Sequence, residues 1–169
     1  SLNAGSLWGR PFYILREAWN ILNAIAEGKI ESGDEKKLNA LKGETMAVIA
    51  LCQFDLTRCF GYPYTKDKGA SLGAPLIDHL VGTYENPPRS TVAQAYDFII
   101  ETLEEAVTLM SEEKNNGRMN KYAARALLAR IYLYHDDNRK AFDLADQLIK
   151  DADTSGSYAL YPHEKYVAA

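Results

Sequence analysis

The sequence has only two cysteines, no surplus of positive charge, and no apolar run approaching the roughly 18 consecutive residues of a membrane span. The missing run argues against a transmembrane helix, and Ser1 to Arg10 lacks the charged, apolar and small-residue succession of a secretion signal. A net charge of −4 and a pI near 5.4 leave no basic footprint for nucleic acid or an anionic membrane surface. Cys52 and Cys59 fall in one expected helix with their Cα atoms about 10.5 Å apart, too far for a disulfide with each other. They are expected to be small buried hydrophobes. Glycine-rich phosphate loops and a nucleophilic serine elbow are absent. His79, His135 and His163 are scattered, with no carboxylate or cysteine at a ligand spacing, so neither a metal nor another cofactor is expected.

What remains is ordinary globular composition, 47% apolar and 25% charged, in a chain long enough to bury one sizeable core. From Pro11 to Glu27, Phe12, Leu15, Trp19, Leu22, Ile25 and Ala26 recur at helical spacing, with Pro11 suited to the first turn and Gly28 to the cap. A second helix from Leu38 to Phe60 has little room for a polar face and is expected to be central. Residues 61–89 hold four of the six prolines and four glycines, without helical or sustained alternating periodicity, and read as a long ordered loop. Such loops are usually functional or linkers.

Thr91 and Gln94 carry the reciprocal capping pattern that opens a third helix, followed by an apolar stripe from Val92 to Met110. Asp97, Glu101, Glu104 and Glu105 fill its solvated face and do not form a catalytic carboxylate cluster. Beyond the turn at Asn115, Asn116 and Gly117, Asn120 is expected to cap a fourth helix ending near Tyr134, and Asn138 a fifth ending near Lys150. Ala141, Phe142, Ala145, Leu148 and Ile149 form the fifth helix's stripe. Residues 151–169 read as an extended tail, polar and then aromatic, with Tyr158, Leu160, Tyr161 and Tyr166. Ala129, Tyr132, Ala141, Ala145 and Leu148 lie three, nine, four and three apart, the spacing of a tetratricopeptide unit. The expected fold is therefore all-α, an irregular tetratricopeptide-like helical-hairpin array in one domain, 1–169, with a long ordered loop.

Several segments carry a family resemblance in order. They are Ala18-Trp19-Asn20 with Ile21 and Ile25, then Lys42-Gly43-Glu44 leading through Ala50, Phe54 and Arg58 to Phe60-Gly61-Tyr62-Pro63-Tyr64. Pro88-Arg89-Ser90-Thr91-Val92 follows, through Tyr96 and Ile99 to Leu103 and Ala106. Asn120-Lys121-Tyr122-Ala123-Ala124 and Leu127-Leu128-Ala129-Arg130-Ile131-Tyr132-Leu133-Tyr134 close the set. Across nearly the whole chain this pattern resembles the SusD/RagB family of nutrient-binding outer-membrane lipoproteins from the Bacteroidetes. The resemblance implies non-catalytic capture of oligosaccharides or other nutrients at the cell surface, passed to a SusC-type TonB-dependent transporter, with this helical part mainly scaffold and partner-facing surface. The sequence departs from the family in having no lipidated N-terminal cysteine and no C-terminal half, which implies a fragment of a longer SusD-like chain.

A neutral sugar needs flat aromatic faces and a few fixed polar groups in a concave site. The candidates are Tyr62, Tyr64 and Tyr84 in the long loop, with Trp8 and Arg10 just ahead of the first helix. Loop anchoring competes for Tyr62 and Tyr64, and packing back onto the helix competes for Trp8. Glu44 and Arg58 are expected to find structural partners, Arg58 locally with Asp55. Two other functions compete. A tetratricopeptide-type adaptor would show several units in regular register. A glycan-cleaving enzyme would need two of Glu44, Asp78 and Glu85 at a shared site, which spacing does not supply.

Overall fold

The computed structural model describes residues 4–115 and 117–159. Among these, five helices run in the order α1 (Ala4–Ala26), α2 (Glu35–Phe60), α3 (Val92–Leu109), α4 (Lys121–Tyr134) and α5 (Asn138–Ser155). Two short strands, β1 (Leu72–Pro75) and β2 (Arg89–Thr91), lie between α2 and α3. Leu160, Tyr161, His163 and Tyr166 of the expected tail, and Asn116 of the expected turn, lie outside the described residues.

The helix starts follow from side chains that satisfy the first free amide groups. Asp34 accepts from Lys36 and Lys37, Asn120 accepts from Ala123, and Thr91 and Gln94 form the expected capping box. The fifth helix is capped by Asp137 and not by Asn138, since the Asp137 carboxylate accepts from the Lys140 amide. It also runs to Ser155, so residues 151–155 are helical where an extended tail was expected, and Gly156 ends it at φ 64°.

α1 begins seven residues before Pro11, which sits inside it. The first-turn preference of proline misplaced this start. An interior proline removes one helical hydrogen bond, and packing compensates, for the Trp8 ring lies 5.0 Å from Phe12 and 4.7 Å from Phe60, both edge-on. Trp8 and Arg10 therefore stand within α1, not ahead of it.

α2 is the central element, packed by α1 on one side and α3 on the other. One cluster joins Phe54 and Ala50 of α2 to Tyr96, Ile99 and Leu103 of α3 and to Leu128 and Ile131 of α4. A second joins Ile49, Cys52 and Leu56 of α2 to Leu15 and Ala18 of α1 and to Ala74 and Ile77 of the loop. Gly43 lets α2 and α3 touch, since an added Cβ would fall 2.9 Å from the Ala106 carbonyl. Cys52 is buried as expected, and burial pushes its thiol up to about 11. Cys59, against expectation, is exposed: seven residues turn it only about 20° from Cys52, but it is one residue from the end of α2.

Glu44 pairs with Arg118 and accepts from the Met119 amide at 3.1 Å, and Arg58 pairs with Asp55 at 2.8 Å. Of the α3 acids, Glu104 accepts from the Tyr132 hydroxyl and Glu105 pairs with Lys42, while Asp97 and Glu101 are exposed. α4 and α5 pack as the expected hairpin. Only part of the α5 stripe is covered: Ala141 is buried, Ala145 and Leu148 are half-buried, and Phe142 and Ile149 face solvent.

The long loop is ordered but not free of secondary structure. Residues Tyr64–Lys66 make a 3₁₀ turn, and β1 pairs antiparallel with β2, Leu72 opposite Thr91 and Pro75 opposite Arg89, with an irregularity between. Strands of four and three residues are too short for alternation to reveal them. Gly69 holds φ +75° where the loop backbone meets α3, with room for no side chain: an added Cβ would lie 2.6 Å from the Ala93 nitrogen.

Candidate functional site

The loop after β1 is fixed from two helices. The fully buried Gln53 side chain donates to the Pro75 carbonyl at 3.0 Å and accepts from the Ile77 amide at 3.3 Å. Trp19 of α1 donates its indole N–H to the Ile77 carbonyl at 3.1 Å. From the far side Arg89 donates to the Gly73 and Leu72 carbonyls, and Ser90 to that of Ala74. Side chains thus pair backbone groups that the two-stranded ladder leaves free.

Fixing Ile77 against Trp19 sets the rest of the loop beside α1. Between them is a cavity of about 500 Å³, within the range of small-ligand sites. Phe12, Pro75, Ile77, Val81 and Pro87 supply apolar walls, and Arg16, Thr83 and Asn86 supply polar groups. Arg16 is held by its neighbour Glu17 at 2.9 Å, an exposed pair of small worth that a ligand could displace. Tyr84, next to Thr83, is 96% exposed and offers both ring faces.

One segment of this wall is organised around His79. Its Nδ1 lies 2.6 Å from Asp78 Oδ1 and its Nε2 2.7 Å from Glu85 Oε1. Glu85 also accepts from the Gly82 amide at 3.0 Å. Spacing gave no sign that two carboxylates meet at this histidine, because a loop and not a helix brings them there. Hydrogen bonds donated to the Asp78 and then the Glu85 carboxylate hold the imidazole above its ordinary range. The Gly82 amide and then His79 hold the Glu85 carboxyl below its own. Hydrolytic acid pairs flank a scissile bond, whereas here an imidazole bridges Asp78 and Glu85. Glu44 is engaged elsewhere by Arg118 and Met119. Among the described residues no three His, Cys, Asp or Glu side chains gather as a metal site would require, and no helix is long and apolar enough to cross a membrane.

None of the five aromatic and basic candidates is in the lining of this cavity. Trp8 is packed on Phe12 and Phe60, and Arg10 is exposed on α1. Tyr64 is anchored, its ring 5.7 Å from Tyr96 and 4.2 Å from His135. Tyr62 is exposed with the Lys66 ammonium over its ring. Tyr84 follows the lining residue Thr83 in sequence, but its own side chain is outside the lining. Phe12, Arg16, Thr83 and Asn86 were missed; no sequence signal marks them, since α1 and the loop are brought together by contacts distant in sequence, the Trp19 bond to Ile77 and the packing of Leu15 and Ala18 with Ala74 and Ile77.

A second, larger groove of about 620 Å³ lies between α4 and α5, lined by Tyr122, Ala126, Leu148, Ile149, Ala152 and Tyr158 among others. Small apolar side chains dominate it, as on faces where helical hairpins stack. Its polar lining groups are mostly engaged within the protein, the Tyr122 hydroxyl by Glu112 and Ser155, the Tyr158 hydroxyl by Asn120 and Lys150 by Asp146, with Asp153 completing the set.

Comparison with known proteins gives a consistent picture. The model of the SusD-like family described as "Starch-binding associating with outer membrane" matches residues 3–133. A SusD superfamily protein from Bacteroides thetaiotaomicron is 40% identical, with a TM-score of 0.89 over 94% of this chain and 34% of that one. A putative sugar-binding protein from Bacteroides vulgatus is 39% identical, with a TM-score of 0.88 over 95% of this chain and 36% of that one. A SusD-like carbohydrate-binding protein from Bacteroides vulgatus is 23% identical and shares the fold, with a TM-score of 0.80 over 95% of this chain and 33% of that one. The chain spans about a third of the length of these solved structures. No curated protein matches it significantly.

Proposed function

The chain belongs to the SusD-like family, and from that premise we propose that it is part of a non-catalytic oligosaccharide-capture protein of the outer membrane. In this reading the cavity between α1 and the 75–87 segment contributes a sugar site. The observation that carries it is the conjunction of apolar walls, the Phe12 ring among them, with the polar groups of Arg16, Thr83 and Asn86. Sugars present C–H faces to aromatic rings and hydroxyls to a few fixed polar groups, and this arrangement meets both needs. α2, α3 and the α4–α5 hairpin serve as scaffold. A longer chain with a lipid anchor would hold this part at the cell surface, and a SusC-type TonB-dependent transporter would receive the sugar.

Two sugars are natural probes, since the family is described as starch-binding and a more distant structural relative is a laminarin-binding SusD-like protein. Calorimetry with malto- and laminari-oligosaccharides should detect binding without release of shorter sugars. Tyr84→Ala should weaken binding roughly tenfold, about 1.4 kcal/mol, by removing a stacking face. It should leave the unfolding midpoint unchanged, because the side chain is almost wholly exposed. Release of shorter sugars, or equal binding by the variant, would contradict this reading.

A further inference from the structure

We infer that Asp78, His79 and Glu85 form a proton-operated latch that sets the shape of the cavity wall, closed while His79 is an imidazolium and released when it becomes neutral. A neutral imidazole has one N–H donor and one lone pair, whereas a carboxylate offers only acceptors. Both His79 ring nitrogens face carboxylate oxygens, at 2.6 and 2.7 Å, so both contacts are attractive only when both nitrogens carry protons. After deprotonation, a lone pair is left against Asp78 or against Glu85.

Glu85 transmits that loss to the wall. One of its oxygens takes the His79 proton donor, the other accepts the Gly82 N–H at 3.0 Å, and its own amide donates to the Gly82 carbonyl at 3.1 Å. The closed circuit runs from residue 79 to 85 and encloses Val81, Gly82 and Thr83, three residues of the cavity lining. The charged groups acting on His79 are Asp78 and Glu85, and across the cavity Arg16 of α1 is occupied by Glu17.

The two titrations have opposite signs. His79 is raised, so its contribution is complete below about 6.5, the ordinary histidine value, and is lost as pH rises through the raised value. Glu85 is lowered, so its contribution is present above the ordinary carboxylate range and is lost as pH falls through the lowered value. The latch is therefore closed between those limits. Its members are about half exposed, so salt should weaken it. The effect on sugar affinity rests on the cavity being the glycan site; the latch itself does not.

Nuclear magnetic resonance on the chain tests this by following the His79 ring and the Gly82 amide through a pH titration. The expected result is a shared midpoint above about 6.5, with the Gly82 response lost and the His79 midpoint lowered in Glu85→Gln. A Gly82 amide indifferent to His79, or a His79 midpoint at or below about 6.5, overturns the latch. Calorimetry with maltohexaose across the same range separates the two readings. If the latch titrates while maltohexaose affinity stays flat, the latch stands and the assignment of the cavity as the glycan site fails.

Discussion

Replacing Gln53 with leucine is expected to lower stability by about 1–4 kcal/mol, because a buried amide loses its partner at roughly 1–3 kcal/mol and a half-buried carbonyl, open to water, at less. Those groups are the Pro75 carbonyl and the Ile77 amide. Leucine matches glutamine in bulk, so the cost arises from unpaired polarity and not from a cavity. Urea unfolding should show a lower midpoint at unchanged slope. Because Ile77 also holds the Trp19 indole, fluorescence in the native state should report a looser Trp19 environment. A loss under about 1 kcal/mol with unaltered fluorescence would mean that Gln53 does not pin the loop.

The second large effect concerns the scaffold. Phe54 is 1% exposed at the junction of α2, α3 and α4, with ring centroids 6.3 Å from Tyr96 and 5.4 Å from Tyr134. Phe54→Ala removes transfer energy and leaves a void that three packed helices cannot close, an expected loss of about 3–5 kcal/mol. Phe142→Ala is the matched control. That side chain faces solvent on α5, and its truncation should move the unfolding free energy by no more than about 0.5 kcal/mol. Equal losses at the two positions would contradict the assignment of the core.

Local chemistry and periodicity made most of this scaffold readable. Thr91 with Gln94, and Asn120 three residues before Ala123, mark helix starts through short-range hydrogen bonds, so sequence alone placed α3 and α4 correctly. The α2 pattern revealed a helix buried on several sides, and the Ala129 to Leu148 spacing revealed the α4–α5 hairpin. Errors arose where distant contacts overrule local preference. Pro11 suggests a start, yet Trp8 on Phe60 extends α1 before it. Phe142 and Ile149 fit the α5 stripe but stay largely exposed.

The candidate site was less legible for the same reason. Tyr84 stands out by residue type and loop position, while its ring lies outside the cavity lining. Phe12, Arg16 and Asn86 become neighbours through long-range contacts, among them Gln53 and Trp19 gripping Ile77 from 24 and 58 residues away in sequence. His79 looked isolated because its partner Glu85 is six residues away in a loop with no repeating geometry.

The central claim is that sugar is held between α1 and the 75–87 segment, and amide chemical-shift mapping of the chain with the tightest-binding malto- or laminari-oligosaccharide tests it most directly. The expected shifts cluster at Phe12, Arg16 and residues 81–86; shifts confined to the α4–α5 groove around Tyr122, Ile149 and Tyr158 would contradict it.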